Sequence, residues 1–290
     1  MTVMIFGCGY SGKAIARAFA EKGFSVAGTV RTLEGAEALA SHHIKPYIFD
    51  GTAFSPELLA ALRDVTHLIQ SIPPGKEHDP LLKLVSGRLT ALCPKLKWIG
   101  YLSTVGVYGD HGGGWVTEET PGSPILGRSI ERVGTEEAWA EQGRIAGVPV
   151  AALRLSGIYG PGRNAFVNLD RGTARRIIKK DQVFNRIRVE DIGSATLFLA
   201  ERNLAGIYNV TDDEPCAPQD VITEAARLMG VEPPAEVDFD SADMTPMARS
   251  FYGANKRVSN EKIRSLGFQF AFPNYHISLA QMWSETTWRG

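Results

Sequence analysis

Several things are scarce or missing in this chain, and each absence narrows what it can be. There are only 3 cysteines in 290 residues, Cys8, Cys93 and Cys216. Their odd number and wide separation suit a reducing compartment better than a disulfide framework. No apolar run is long enough to cross a bilayer. The first residues lack a basic region and a cleavage site, so no signal peptide is expected and the cytoplasm is the expected location. Basic and acidic residues number 31 and 32, a net charge of −1. That balance provides no electrostatic drive toward nucleic acid or anionic membrane. None of the 6 histidines shows metal-ligand spacing, so no metal site is expected. There is no internal repeat and no low-complexity tract. Between Tyr108 and Tyr159 there is no tyrosine at all, an absence that becomes important below.

What is present begins at the first residue. Met1-Thr-Val-Met-Ile-Phe6 reads as a buried strand, followed at once by Gly7-Cys-Gly9-Tyr10-Ser11-Gly12 and a helical pattern from Lys13 to Ala20. A strand, a G-x-G-x-x-G turn and a helix N-terminus form a pyrophosphate cradle. Gly7 permits the tight turn, Gly9 lets the main chain approach the phosphates, and Gly12 allows close helix–strand packing. The helix N–H groups and positive dipole end face the anion. Tyr10 and Ser11 fill the variable places of this cofactor loop. Cys8 also lies there, close to a helix N-terminus that lowers thiol pKa values; the plainer reading is a small residue filling the turn.

The second strand, Phe24–Val30, decides the dinucleotide. An NAD site carries an acid about 20 residues past the motif, where it binds the ribose 2′-OH. Here that place reads Thr29-Val-Arg31-Thr32, and the nearest acid is Glu34. Arg31 can pair with a 2′-phosphate in bidentate fashion, and Thr29 and Thr32 add hydroxyls. NADP is therefore expected ahead of NAD.

Strand and helix patterns then alternate. Strands are expected at 44–49, 66–72, 97–104 and 148–155, with helices at 56–63, 79–92 (capped by Asp79) and 129–142. A glycine-rich loop spans 106–127. The alternation argues for an α/β fold with a doubly wound parallel sheet. Beyond Gly160 helices are expected at 166–180 and 189–202 and a short strand at 206–210, with a smaller lobe after Thr211. In a helix at 166–180, Arg171, Arg175 and Lys179 share one face.

With these residues assembled, the chain resembles the extended and atypical branches of the short-chain dehydrogenase/reductase superfamily, the NAD-dependent epimerase/dehydratase type. The resemblance runs nearly end to end. It rests on the glycine turn, Asp50 after strand three, Tyr101-Leu-Ser-Thr-Val-Gly-Val-Tyr-Gly109 and Arg154-Leu-Ser-Gly-Ile-Tyr-Gly-Pro-Gly-Arg163, with Val189-Glu-Asp-Ile192 and Tyr208-Asn-Val-Thr-Asp212 in support. It implies a Rossmann domain over 1–158 plus about 183–210, and a small substrate lobe over 159–182 plus 211–290. It further implies that Asp50 binds the adenine, that Ser71 passes the nicotinamide ribose and phosphates, and that Tyr159 contacts the nicotinamide. Thr104 would hold a substrate oxygen. Members of the resembled family often pair through helices flanking the sheet, which makes a homodimer an expectation.

The resemblance breaks at its centre. The family uses a Tyr followed four residues later by a Lys. With Glu136 as the trailing acid of that pattern, Arg128 takes the Tyr place and Arg132 the Lys place. Arginine stays protonated and cannot serve as a base, although Arg132 can replace the lysine as a cation. Acid–base work then falls to Tyr108, Tyr159, Glu118 or Glu131, or is absent. Two functions follow. One is an NADP-dependent oxidoreductase or epimerase acting on a small polar, anionic or sugar-like substrate, with Thr104, Tyr108 and Arg132 as its catalytic candidates. The other is a catalytically degenerate NADP-binding sensor.

Overall fold

The computed structural model describes residues 1–75, 79–125 and 127–290. His78, one of the six histidines, and Leu126, in the run before the family's catalytic helix, lie outside them. In chain order the elements are β1 (Thr2–Phe6), α1 (Tyr10–Glu21), β2 (Ser25–Val30), α2 (Leu33–Ala40), β3 (Lys45–Ile48), α3 (Pro56–Leu62), β4 (His67–Gln70), α4 (Leu82–Val85), α5 (Leu89–Leu92) and β5 (Trp98–Thr104). They continue with β6 (Trp115–Val116), α6 (Gly127–Ala146), β7 (Val150–Leu155), β8 (Gly157–Tyr159), α7 (Ala165–Asp170), β9 (Arg176–Ile178), β10 (Arg186–Arg188) and α8 (Val189–Glu201). The last are β11 (Gly206–Val210), α9 (Pro218–Met229), β12 (Glu236–Asp238), α10 (Pro246–Phe251), β13 (Arg257–Val258), α11 (Glu261–Ser265) and α12 (Tyr275–Ser284).

Two compact units emerge. The first holds 1–107, 127–155 and 192–208; the second holds 108–126, 156–191 and 209–290. The loop after residue 107 and the segment 183–191 thus group with the second unit, where the sequence reading assigned them to the dinucleotide domain. Main-chain pairing explains it: β6 in the loop pairs with β13, and β10 pairs with β8.

In the first unit the central sheet runs β11-β7-β5-β4-β1-β2-β3. Strand order reverses between β1 and β4, and ligands of such sheets bind outside the strand C-termini at that switch point. β1, covered on both faces, is apolar where it is buried: Val3 to Phe6 are 0% exposed. On α1 the buried residues Gly12, Ile15, Ala16 and Phe19 fall on one face. Ser55 caps α3 by accepting from Leu58 N, and Pro56 occupies its first turn.

The expected helix at 79–92 is two short helices, α4 and α5. Gly87, at φ +68°, breaks it and donates its N–H to Gln142 Oε1. Asp79 does cap the first piece, accepting from Leu81 N and Leu82 N. It also accepts from Gln70 and Trp139 in the core.

His67 on β4 is 3% exposed and packs edge-on against Phe19 and Phe24. Burial first, then Lys97 and the N-terminus, lower its pKa to about 4, so it is neutral in the fold. The unfolded chain binds the extra proton below about pH 6.5 and the folded one only near pH 4. Stability is therefore full above pH 6.5 and falls as pH drops toward 4, by on the order of 3 kcal/mol. Melting curves across that window should show the slope in the wild type and a flatter one in His67→Phe; equal slopes refute the assignment.

In the second unit Tyr159, Phe166, Val221, Tyr275, Leu279, Met282 and Trp288 form one apolar cluster. Asp191 of the Val-Glu-Asp-Ile motif is buried and accepts from Ala271 N and Phe272 N, fixing the turn before α12. The expected helix at 166–180 ends early. Gly172, at φ +66°, stops α7, and Arg176–Ile178 pairs with β12. Arg171, Arg175 and Lys179 therefore share no helical face. Arg175 donates to the Asp243 carbonyl and Lys179 to that of Tyr252. No helix among the described residues is long and apolar enough to cross a membrane.

Candidate functional site

The turn after β1 is tightly built. Gly7, at φ +80°, leaves no space for a side chain: a Cβ there would lie 2.9 Å from Ile72 Cγ1 and 3.0 Å from Ile72 N. Its N–H donates to Thr29 Oγ1 at 2.9 Å, and Cys8 N donates to the Thr29 carbonyl at 2.9 Å. Thr29, expected as a phosphate donor, is 1% exposed and instead ties the turn to β2. A Cβ on Gly12 would touch Cys8 Sγ, the Gly7 carbonyl and Ile5 Cγ2, each at 3.3 Å. Gly9 differs: nothing lies within 4 Å of where its Cβ would be. The first turn of α1 has no side-chain cap and no acid. Exposed Tyr10 and half-exposed Ser11 stand at this helix start. An open main-chain face over an uncapped 12-residue helix fits a diphosphate, which would supply the charge that the helix end lacks.

Cys8 is 2% exposed, and a Cβ on Gly28 of β2 would come within 2.7 Å of Cys8 Cβ. Burial pushes its thiol up to about 12, so the residue fills space and is not a reactive thiolate.

At the end of β2, Arg31 is exposed, while Thr32 accepts from Gly35 N and caps α2. The first acid after β2 is Glu34, inside that helix. Asp50, exposed past the end of β3, accepts from Thr52 N and Thr52 Oγ1, which hold its carboxyl below the usual carboxylate range. Ser71 follows β4, is half-buried, and donates its N–H to the Phe6 carbonyl.

One face of α6 lies along β5. Glu136 accepts from Ser103 Oγ and takes a bidentate pair from Arg154 on β7, with Nη2–Oε2 at 2.7 Å. Both side chains are about 95% buried (6% and 5% exposed). Arg132, one turn earlier, donates to the Leu102 carbonyl and lies 3.5 Å from the Tyr101 hydroxyl. That hydroxyl is buried and pushed up to about 12. Arg128 is exposed. Ser129, missed by sequence reasoning, faces the end of β5 beside Gly106 and Thr104. The missing signal was its spacing from Arg132 and Glu136, three and seven residues back along one helical face.

Tyr108, Glu118 and Tyr159 belong to the second unit, whereas Glu131 lies on α6 in the first. Tyr108 is wholly buried and donates its hydroxyl to Asn209 Oδ1 at 2.7 Å. Asn209 N in turn donates to Glu118 Oε1. Tyr108 and Glu118 thus brace the glycine-rich loop. Tyr159 is 9% exposed; among the described residues its hydroxyl meets no hydrogen-bond partner within bonding geometry, and burial raises its pKa. Near it a cavity of about 410 Å³ is lined by Arg163, Arg171, Arg186, Asn164 and Asn168, over Val221 and Leu279. Among the described residues no acidic side chain lines it. Among the described residues no cluster of His, Cys, Asp or Glu can hold a metal ion.

No family model matches the chain. Protein YeeZ of Escherichia coli K12 is 31% identical over 288 residues, which cover 94% of this chain and 96% of that protein. Among solved structures, a functionally unknown conserved protein from Silicibacter pomeroyi DSS superposes with a TM-score of 0.88 at 42% identity, over 98% and 99% of the two chains. The UDP-glucuronic acid 4-epimerase of Bacillus cereus, solved with NAD, superposes with a TM-score of 0.76 at 16% identity, over 98% and 96%; at that identity the likeness is one of fold. The chain belongs to the family of protein YeeZ, built on the epimerase/dehydratase form of the short-chain dehydrogenase/reductase fold.

Proposed function

We propose that the chain is an NADP-binding oxidoreductase or epimerase acting on a small, anionic polar substrate. The observation that carries this reading is the uncapped start of α1 beneath the open face of Gly9, with Arg31 exposed at the end of β2. Main-chain amides of the turn would hold the diphosphate, and Arg31 would pair with a 2′-phosphate. The bound dinucleotide supplies the hydride chemistry. The half-exposed Thr104, at the C-terminal end of β5, holds the substrate's oxygen, and its Oγ1 is itself fixed by Gly106 N at 3.1 Å. In the second unit the acid-free cavity with three arginines suits a phosphate or carboxylate group.

A second reading, a cofactor-occupancy sensor, draws on the absence of any tyrosine from α6. One experiment decides between them. Titration calorimetry with NADPH and NADH is expected to show tighter NADPH binding. Incubation of the NADPH complex with phosphorylated and carboxylated aldehydes and ketones should consume the reduced cofactor's absorbance, more slowly in Thr104→Ala. Tight NADPH binding with no consumption across the panel favours the sensor. Uptake of neither dinucleotide overturns both readings.

A further inference from the structure

We propose that Asp79 is a positioning residue for the dinucleotide cradle: through Gln70 it holds Ile72 against Gly7, and through Trp139 it ties that hold to α6. This rests on the cofactor reading above, and the test separates the two.

The chain itself creates the need. β4 ends at Gln70, and the Ser71 N–H still reaches the Phe6 carbonyl of β1. Ile72 comes next, followed by Pro73 and Pro74, which have no N–H to donate. Ile72 N is thus the last main-chain donor before Gly75. It also walls the glycine turn: a Cβ on Gly7 would lie 3.0 Å from Ile72 N and 2.9 Å from Ile72 Cγ1. The place of Ile72 therefore sets how tightly the turn after β1 is backed.

The hydrogen-bond directions meet that need. Ile72 N donates to Gln70 Oε1 at 3.3 Å, a long bond that requires the amide to be held the right way round. Gln70 Nε2 donates to both oxygens of Asp79 at 2.8 Å. Asp79 also takes Leu81 N and Leu82 N on Oδ1 and Trp139 Nε1 on Oδ2. With N–H donors on both oxygens, this side chain acts only as an acceptor, so it can face only the NH₂ end of Gln70. That turns Oε1 toward Ile72. Gln70 and Trp139 are 0% exposed and Asp79 is 3% exposed, which keeps the order away from solvent. The two main-chain bonds would be enough to cap α4. The bonds to Gln70 and Trp139 extend the cap into a chain that runs from α6 to the cradle.

Titration calorimetry with NADP⁺ and urea unfolding of the nucleotide-free protein test this together. Gln70→Met keeps the length and removes the acceptor, and should weaken NADP⁺ binding about tenfold, the worth of one hydrogen bond. Asp79→Asn should weaken it similarly, because an amide nitrogen then meets Gln70 Nε2 and turns it. Gln70→Glu combined with Asp79→Asn returns an acceptor to Ile72 N and should recover most of the affinity. Leu62→Ala, a core change on α3, should lower the urea midpoint and leave NADP⁺ affinity as it is. In the nucleotide-free protein the Ile72 amide should exchange faster in Gln70→Met and Asp79→Asn than in the wild type. Wild-type affinity in those two variants overturns the positioning role. So does an affinity that follows the urea midpoint through Leu62→Ala, or a double exchange that recovers nothing. A wild type that takes up no NADP⁺ instead overturns the cofactor reading, and the positioning role falls with it.

Discussion

Glu136→Ala is expected to destabilise the protein by about 3–5 kcal/mol, the range for removing one partner of a buried ion pair. Glu136 and Arg154 are almost wholly buried, and Glu136 also accepts from Ser103 Oγ. Alanine would leave the Arg154 guanidinium in the core with its main partner gone, and would strip Ser103 of its acceptor. Because α6, β5 and β7 all meet at this carboxylate, the loss falls on the join between helix and sheet. A domain's whole stability is about 5–15 kcal/mol, so the variant should unfold at a much lower urea concentration. Two controls sharpen the result. Glu136→Gln keeps the volume and a hydrogen bond, and should cost less. Replacing both partners with apolar residues of similar volume should also cost less than Glu136→Ala, since no charge is then stranded. An unchanged urea midpoint in Glu136→Ala would show that the pair contributes nothing.

Arg31→Ala is expected to weaken NADPH binding about 10–100-fold and to leave NADH binding unchanged. A charge-assisted hydrogen bond contributes about 1.5–3 kcal/mol, and each 1.4 kcal/mol is a factor of ten in affinity. Arg31 is exposed and lies outside β2 and α2, so its removal leaves the fold intact. The preference should also shrink as salt is raised, because an exposed ion pair is screened. Calorimetric titration of both dinucleotides at two ionic strengths measures all of this. Equal losses for NADPH and NADH would mean that Arg31 touches a part the two share, and the cofactor choice would have to be reassigned.

The elements that local pattern predicts well are those whose pattern is itself local. The run before Gly7, the glycine spacing, the periodic face of α1 and the Ser55–Pro56 start of α3 need no distant residue to be read. The failures share a cause. The span 166–180 has helical periodicity, but Gly172 ends α7 and Arg176–Ile178 finds a partner 60 residues away in β12. Gly87 likewise divides one expected helix into two, its N–H satisfied by Gln142 from α6. At the candidate site, Thr29 looked like a phosphate donor because of its place after the motif. Its hydroxyl turns inward to Gly7 instead, a choice made by the packing of β1 against β2. Ser129 carried no signal of its own, since a serine near a helix start is ordinary until its distance to Gly106 is known.

From sequence alone came the α/β alternation, the glycine turn after β1, the lack of an acid directly after β2 and the absence of any tyrosine between Tyr108 and Tyr159. These are properties of residue type and spacing along the chain, set by strand and helix periodicity and by glycine's lack of a Cβ. Tertiary structure alone decided which polar side chains are consumed inside the fold and which are left facing outward. Tyr108, Glu136 and Thr29 are bound up internally, whereas Arg31 is exposed and Thr104 half-exposed. That division depends on contacts between residues tens of positions apart, where most buried donors and acceptors find their partners.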